Sequence, residues 1–150
     1  MSWTIHPYIS VNDIKFGSKS EELSSIIGID PKIKNTKNGE KRYEFGIDCP
    51  HFTYSSNDQL EEVSFSQYVS RQIFLLERRL SWDDGLSNLQ YAYELSKRSN
   101  TFEVVGFIVF LELGVAFSGF HDGDADQKAI VCFTKHRWDR FIPEMRPVHF

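Results

Sequence analysis

Three aspartates alternate with small residues in one segment, His121-Asp122-Gly123-Asp124-Ala125-Asp126-Gln127. Alternate carboxylates can supply the oxygen ligands of a calcium loop. Such a loop needs glycine at its sixth position and a bidentate glutamate at its twelfth, where this chain has Gln127 and Phe133. The segment therefore fits calcium poorly. Two interpretations stay open, a solvated hairpin loop or an acidic contact surface for a basic partner.

Other candidates for chemistry are scattered along the chain. No two histidines have the spacing of a helical zinc motif, no serine lies in a G-x-S-x-G elbow, and no glycine-rich loop has a nucleotide-binding form. A Cys132–His136 dyad is conceivable, but Cys132 lies in an apolar run and only Asp139 is near enough in sequence to orient the histidine. Cys49 also lies in an apolar context, which favours two free thiols over a disulfide framework. We expect no catalytic residue, metal or cofactor, and hence no enzyme.

A basic and aromatic stretch lies near the end of the sequence. It comprises Lys135, His136, Arg137, Trp138, Arg140 and Phe141. Such residues can stack on bases and neutralise phosphates. They can equally form a last short helix that Trp138 and Phe141 anchor to a sheet, which is the interpretation we favour. A net charge of −4 also argues against a general nucleic-acid binder, so no direct nucleic-acid contact is expected.

Composition indicates one globular domain. The chain has 150 residues, of which 41% are hydrophobic, and its 13 phenylalanines can fill a core without disulfides or metal. Residues 1–150 are therefore predicted to form a single domain. No apolar run approaches the length of a membrane span, and the first residues lack the basic and apolar regions of a secretory signal. We expect a cytoplasmic protein without membrane contact.

Two segments of the chain resemble each other. Residues 18–26 and 81–89 share a serine, an acid three positions later, and then leucine, serine and an aliphatic residue. Both patterns predict helix starts, with Ser18 and Ser81 as N-caps. Gly28 is expected to end the first helix, and the second to run to about Lys97 or Arg98 with Leu86, Leu89 and Tyr93 on its buried face.

Matching strands follow each helix. The first set is predicted at 43–47, 52–55 and 59–65, the second at 106–110, 115–118 and 127–133, with short strands at 14–16 and 73–76 before the helices and loops at 30–40, 55–58, 99–101 and 122–126. The predicted class is α+β. Two tandem halves of one helix and a three-strand meander, about 12–68 and 73–135, form one antiparallel sheet with the helices on one face, and 136–150 is a short C-terminal segment. The eight expected core residues are Phe45, Phe52, Val63, Phe65, Phe107, Val109, Val131 and Phe133.

The first repeat carries a family resemblance. Phe16-Gly17-Ser18-Lys19-Ser20-Glu21-Glu22-Leu23, followed by Ile26-Ile27-Gly28 and a meander, resembles the opening of small bacterial immunity proteins from contact-dependent growth-inhibition and polymorphic-toxin systems. Other tandem-repeat α+β proteins share this layout. The resemblance implies an antitoxin that binds a cognate toxin domain and blocks its active site, and it implies no catalytic residue.

Many such toxins are nucleases with basic clefts, for which an acidic inhibitor surface is the physical complement. We therefore expect partner contacts from Asp122, Asp124 and Asp126, with His121, Phe120 and Trp82 as anchors. Two other classes stay open. One is a nucleic-acid-binding module with a saddle-like repeated sheet, and the other is a small enzyme that uses His121 beside the three acids.

Overall fold

Short strands account for most of the regular structure in the computed structural model, which describes residues 2–120 and 128–150. The described strands are β1 (Trp3–His6), β2 (Ser10–Val11), β3 (Ile14–Lys15), β4 (Lys32–Asn35), β5 (Lys41–Glu44), β6 (His51–Tyr54), β7 (Leu60–Ser66), β8 (Ile73–Leu75), β9 (Arg78–Arg79), β10 (Thr101–Val104), β11 (Phe107–Phe110), β12 (Val115–Ser118), β13 (Ala129–Phe133) and β14 (Arg146–Pro147). The helices are α1 (Ser20–Ile27) and α2 (Gly85–Leu95), with short 3₁₀ segments at Lys37–Gly39 and Asp139–Glu144. The chain is α+β, as predicted.

A large antiparallel sheet forms the centre of the fold. Its nine described strands lie in the order β14-β10-β11-β12-β13-β7-β6-β5-β4. At its middle β13 pairs with β7, with Cys132 opposite Val63 and Ile130 opposite Phe65. The neighbouring strands β12 and β6 lie inside the sheet. All of their residues except His51 are buried.

A second, smaller sheet was not predicted. It has the strand order β3-β2-β1-β8-β9, and β1 pairs with β8 in parallel, Ile5 lying opposite Leu75. The prediction of one sheet, antiparallel throughout, is therefore wrong. Parallel pairing needs a long connection, here the first helix and the six strands β2 to β7, and nothing in the local sequence pattern indicates it.

The main core lies between the large sheet, the small sheet and both helices. Leu23 of α1 and Leu89, Ala92 and Tyr93 of α2 belong to the same buried cluster as Phe65 of β7. The other residues of the large sheet in this cluster are Tyr43, Phe52, Tyr54, Leu60, Val63, Ile108, Phe110, Val115, Phe117, Ile130 and Cys132. Alternate side chains of a strand point to opposite faces, so this cluster marks one face of the large sheet.

The C-terminal segment covers part of the opposite face. The buried cluster on this face consists of Val104, Val109, Ala116, Val131, Phe133 and Trp138.

Seven of the eight predicted core residues are buried, whereas Phe107 is half-buried. Val109, Val131 and Phe133, however, belong to this second cluster and not to the main core. Both faces of β11 and β13 are therefore covered.

Several local predictions are also corrected. The expected loop at 30–40 contains β4, and β10 begins at the end of the expected loop at 99–101, so each meander gains a strand. Helix α1 has Lys19 at its N-cap with no side-chain cap, α2 has Asp84 there, and α2 ends at Leu95 before Lys97. Gly28 ends α1 in the left-handed conformation, φ 83°, as predicted. Neither described helix has the length and apolar character needed to cross a membrane.

Candidate functional site

The turn before α2 is held by side-chain hydrogen bonds. The amide of Asn88 clamps Ser81 at both ends, since Ser81 N donates to Asn88 Oδ1 at 2.8 Å and Asn88 Nδ2 donates to Ser81 O at 2.6 Å. Asp84 Oδ1 caps the helix by accepting from Ser87 N at 3.2 Å. These bonds fix the backbone on both sides of Trp82 and so determine where its indole lies.

Phe120 stacks on that indole. The ring centroids of Trp82 and Phe120 are 5.7 Å apart with an interplanar angle of 22°, and Phe120 also meets Phe117 of the core edge to face at 5.9 Å. Gly85 makes room for the stack, because a Cβ there would lie 2.6 Å from Phe120 Cδ1. Lys128 Nζ donates to Trp82 O at 2.5 Å and lies 5.7 Å from the Phe120 ring centroid, within cation–π range.

Exposed acidic and aliphatic residues flank the stacked pair. Asp83 and Asp84 are exposed at the start of α2, and Leu86 in the same turn is 56% exposed. We call Trp82, Asp83, Leu86 and Phe120 the α2 aromatic surface. It has an aromatic centre with the Asp83 carboxylate beside it. Such an arrangement is typical of a protein-binding surface.

The structure brings together two of the six predicted contact residues, Trp82 and Phe120, from distant parts of the sequence. The other four, His121, Asp122, Asp124 and Asp126, lie outside the described residues. Leu86 was placed on the buried face of α2 by helical periodicity, and its exposure corrects that prediction. Lys128 was also missed, since no local pattern links it to Trp82.

A cluster of charged residues joins the C-terminal segment to the large sheet. Arg137 contacts Glu40 at 2.9 Å, Glu61 at 3.3 Å and Glu62 at 3.2 Å, with its own side chain 14% exposed. Burial raises the pKa of the Glu62 carboxyl, because desolvation outweighs the attraction to Arg137. Burial alone would lower the pKa of Arg137, but its hydrogen bonds to Glu40 and the nearby Glu62 charge raise it. Arg137 therefore stays charged, and its charge is satisfied within the protein.

The aromatic residues next to this cluster are packed inside the protein. Trp138 is buried against Phe107, Phe133 and Phe141, with ring centroids between 5.3 and 5.4 Å apart. Trp138 consequently offers no open face for a base. The C-terminal segment serves as an anchor, as the favoured interpretation of the sequence predicted.

The thiols and histidines do not assemble a reactive group in the part of the chain that the structure describes. Both cysteines are free, and the buried Cys132 donates to Val63 O at 3.5 Å, with its pKa raised by burial. His136 is exposed and pairs with Asp139 at 2.9 Å, so it is engaged away from the core that holds Cys132. Within the same described ranges, no group of three or more His, Cys, Asp or Glu side chains is placed to hold a metal ion.

Comparisons of the chain with protein-family models, with curated proteins and with solved structures found no match.

Proposed function

We propose that this protein is an immunity protein of a contact-dependent growth-inhibition or related polymorphic-toxin system. It acts in the cytoplasm by binding a cognate toxin domain, a basic nuclease, and blocking its active site. The observation that carries the proposal is the Trp82–Phe120 stack, held at the start of α2 beside the exposed Asp83. The family resemblance of residues 16–28 supplies the class of partner.

The α2 aromatic surface has the physical character of a protein-binding hot spot. Aromatic residues dominate binding energy when their surroundings hold them rigidly, because little side-chain entropy is then lost on association. Asn88, Asp84 and Gly85 provide that rigidity here. Acids beside such a centre attract a basic partner and raise the association rate more than the final affinity.

The acidic segment continues this surface along the sequence. Residues 121–127 directly join Phe120, which stacks on Trp82, to Lys128, which binds the Trp82 carbonyl. Asp122, Asp124 and Asp126 therefore lie only a few positions after Phe120 in the sequence. Asp83 and Asp84 directly follow Trp82, so five acids are sequence neighbours of the two stacked residues, and a basic phosphate-binding cleft would complement their charge.

We also propose that the fold consists of two related halves, about 12–68 and 73–135, with both helices on one face of the large sheet. The strand order supports this, since β6-β5-β4 on one side of the central β7–β13 pair corresponds to β12-β11-β10 on the other. In the small sheet the hairpins β2–β3 and β8–β9 lie on either side of β1, with β2 antiparallel and β8 parallel to it, and each hairpin precedes a helix. Each half then has four strands after its helix.

Growth protection tests the proposal directly. The proposal predicts that a neighbouring gene encodes the cognate toxin domain, and that domain is expressed in bacteria with and without this chain. Wild-type protein is expected to restore growth, and the double variant Trp82→Ala/Phe120→Ala is expected to lose most of that protection. Tyr68→Ala serves as the control, because Tyr68 is an aromatic residue that is 61% exposed elsewhere in the chain. Equal protection by the double variant, with equal amounts of folded protein, would remove the α2 aromatic surface from the proposal.

Association rates test the contribution of the acidic segment. Replacing Asp122, Asp124 and Asp126 by Asn should slow association with the toxin domain by about tenfold at low salt and flatten its salt dependence. The matched control is Glu21→Gln/Glu22→Gln/Asp30→Asn, which removes three exposed acids from the α1 region. If both triple variants associate as fast as wild type at low salt, the acids do not steer this encounter.

A further inference from the structure

A cavity of about 340 Å³ opens beside the C-terminal end of α1, away from the α2 aromatic surface in sequence. Its walls come from α1 and the residues after it, from the small sheet, and from the connection between β5 and β6. Six of its ten lining residues are large apolar ones, Trp3, Ile14, Ile26, Ile27, Ile29 and Phe45. A mainly apolar lining with a few polar groups is the usual character of a small-molecule site, and the volume falls within the usual range.

The polar groups of this cavity carry balanced charge. Asp48 and Arg71 line it, one acid and one base, together with Asn12 and Cys49. The Asn12 amide is engaged within the protein, since Oδ1 accepts from Thr4 N and Nδ2 donates to Ser2 O. Burial, followed by the charge of Asp48, raises the pKa of the Cys49 thiol to about 11, so the thiol is neutral near pH 7. The lining therefore has no net charge with which to hold an ion.

The walls are also incompletely covered. Ile26 is 51% exposed and Ile29 54% exposed, although both line the cavity, whereas Trp3 and Phe45 behind them are 6% and 4% exposed. The space between the apolar side chains at the mouth and the aromatic side chains at the back is therefore apolar. Filling it with water is unfavourable in free energy. Two other cavities have more polar linings, with His136, Asp139 and Glu112 in one and Arg79, Ser81 and Asp83 in the other.

We infer that this cavity, the α1 cavity, binds a small uncharged molecule with an apolar body and one neutral polar end. The body, of the size of an aromatic ring system or a branched alkyl chain, packs on Ile26, Ile29 and Phe45. The polar end lies beside Asp48 and Arg71, where a hydroxyl donates to the Asp48 carboxylate or a carbonyl accepts from the Arg71 guanidinium. This binding activity is separate from the proposed toxin neutralisation and does not depend on it.

Fluorescence titration with the neutral naphthalene dye prodan tests the inference. Its fused rings match the apolar walls, its carbonyl supplies the neutral polar end, and its emission shifts to the blue in an apolar environment. Wild-type protein is expected to bind it saturably at one site. Ile26→Gln/Ile29→Gln should weaken binding by about tenfold or more, because two apolar contacts are replaced by polar ones. Ile142→Gln is the matched control, since Ile142 is 50% exposed and does not line this cavity.

Charge selection gives a second readout. A sulfonated naphthalene dye of similar size should bind more weakly than prodan, because the lining offers no net positive charge. Absence of saturable prodan binding, equal losses in the double variant and in Ile142→Gln, or tighter binding of the sulfonated dye would each overturn the inference. Loss of toxin binding in Ile26→Gln/Ile29→Gln with unchanged prodan binding would instead assign this face to a protein partner, and that result also overturns it.

Discussion

The two helices share one hydrophobic core, but the protein holds them very differently. Helix α1 has 8 residues and buries only Leu23, whereas α2 has 11 residues and buries Asn88, Leu89, Ala92 and Tyr93. Asp84 caps α2 with its side chain, while Lys19 at the start of α1 makes no such bond. The similar sequences at the two helix starts therefore give unequal anchoring, because anchoring depends on contacts outside the helix.

Each of the two proposed binding sites lies beside one of these helices, and the difference in anchoring matches the difference between the sites. The well-anchored start of α2 presents the Trp82–Phe120 stack on a rigid backbone, which favours recognition of a large partner at low entropic cost. The lightly anchored α1 stands beside a cavity and leaves Ile26 and Ile29 partly uncovered. A ligand in that cavity would supply apolar contacts that α1 lacks.

The largest expected effect concerns the core anchors. Leu89→Ala should lower the free energy of unfolding by about 2–5 kcal/mol, since Leu89 is 1% exposed within the main core. Leu23→Ala should cost less in global stability, because α1 has no other buried residue and can detach locally. Urea denaturation measures the first quantity and amide hydrogen exchange in α1 the second. Equal global losses with no faster exchange in α1 would show that the two helices are equally anchored.

The clamp before α2 should contribute a smaller amount. Asn88→Ala leaves the N–H and C=O of Ser81 without their side-chain partner in a part-buried turn. We expect a loss of about 1–3 kcal/mol in the free energy of unfolding. Gln90→Ala is the control on the same helix, because Gln90 is exposed. A loss in Asn88→Ala no greater than in Gln90→Ala would mean that the turn holds without the clamp.

The helix caps allow the most direct comparison. Asp84→Ala should cost about 1 kcal/mol, since Asp84 accepts from Ser87 N at the start of α2. Lys19→Ala, at the equivalent position of α1, should change stability by less than about 0.5 kcal/mol, because no cap bond is lost. Thermal or urea unfolding of the two variants measures the difference. Equal losses of stability in the two variants would show that the Asp84 side chain does not stabilise α2 as a cap.

The exposed aliphatic residues should show the smallest effect on stability. Ile26→Gln in α1 and Leu86→Gln in α2 should each change the free energy of unfolding by less than about 0.5 kcal/mol, since the side chains are 51% and 56% exposed. Binding assays should separate them, with Ile26→Gln weakening prodan and Leu86→Gln weakening the toxin domain. A stability loss above 1 kcal/mol in either variant would show that the residue belongs to the core.

Local sequence patterns predicted the elements better than their arrangement. The α+β class, the existence of both helices and the end of α1 at Gly28 were predictable, because periodicity and capping act over a few residues. The cap at Asp84 was missed because Ser81, Asp83 and Asp84 are all acceptable caps and only the backbone geometry selects one. The strand β4 was missed because three of its four residues are polar, as suits a strand that is exposed along its whole length.

The candidate site depends on contacts between residues far apart in the chain. Trp82 and Phe120 were each predicted as contact residues, yet nothing in their neighbourhoods indicates that the two rings stack. The burial of Arg137 among Glu40, Glu61 and Glu62 was likewise invisible, since the sequence shows only a basic stretch in one place and acids in others.

The sequence by itself determined the α+β class, the two helices and the strands β5 to β7 and β11 to β13, and it showed that apolar residues suffice for a core without disulfides. The tertiary structure alone decided the parallel pairing of β1 with β8, the face on which Phe133 lies, and the exposure of Leu86. The physical reason is one of range. Backbone conformation responds to neighbours within a few residues, whereas register, facing and burial are set by packing between segments that the chain brings together only when it folds.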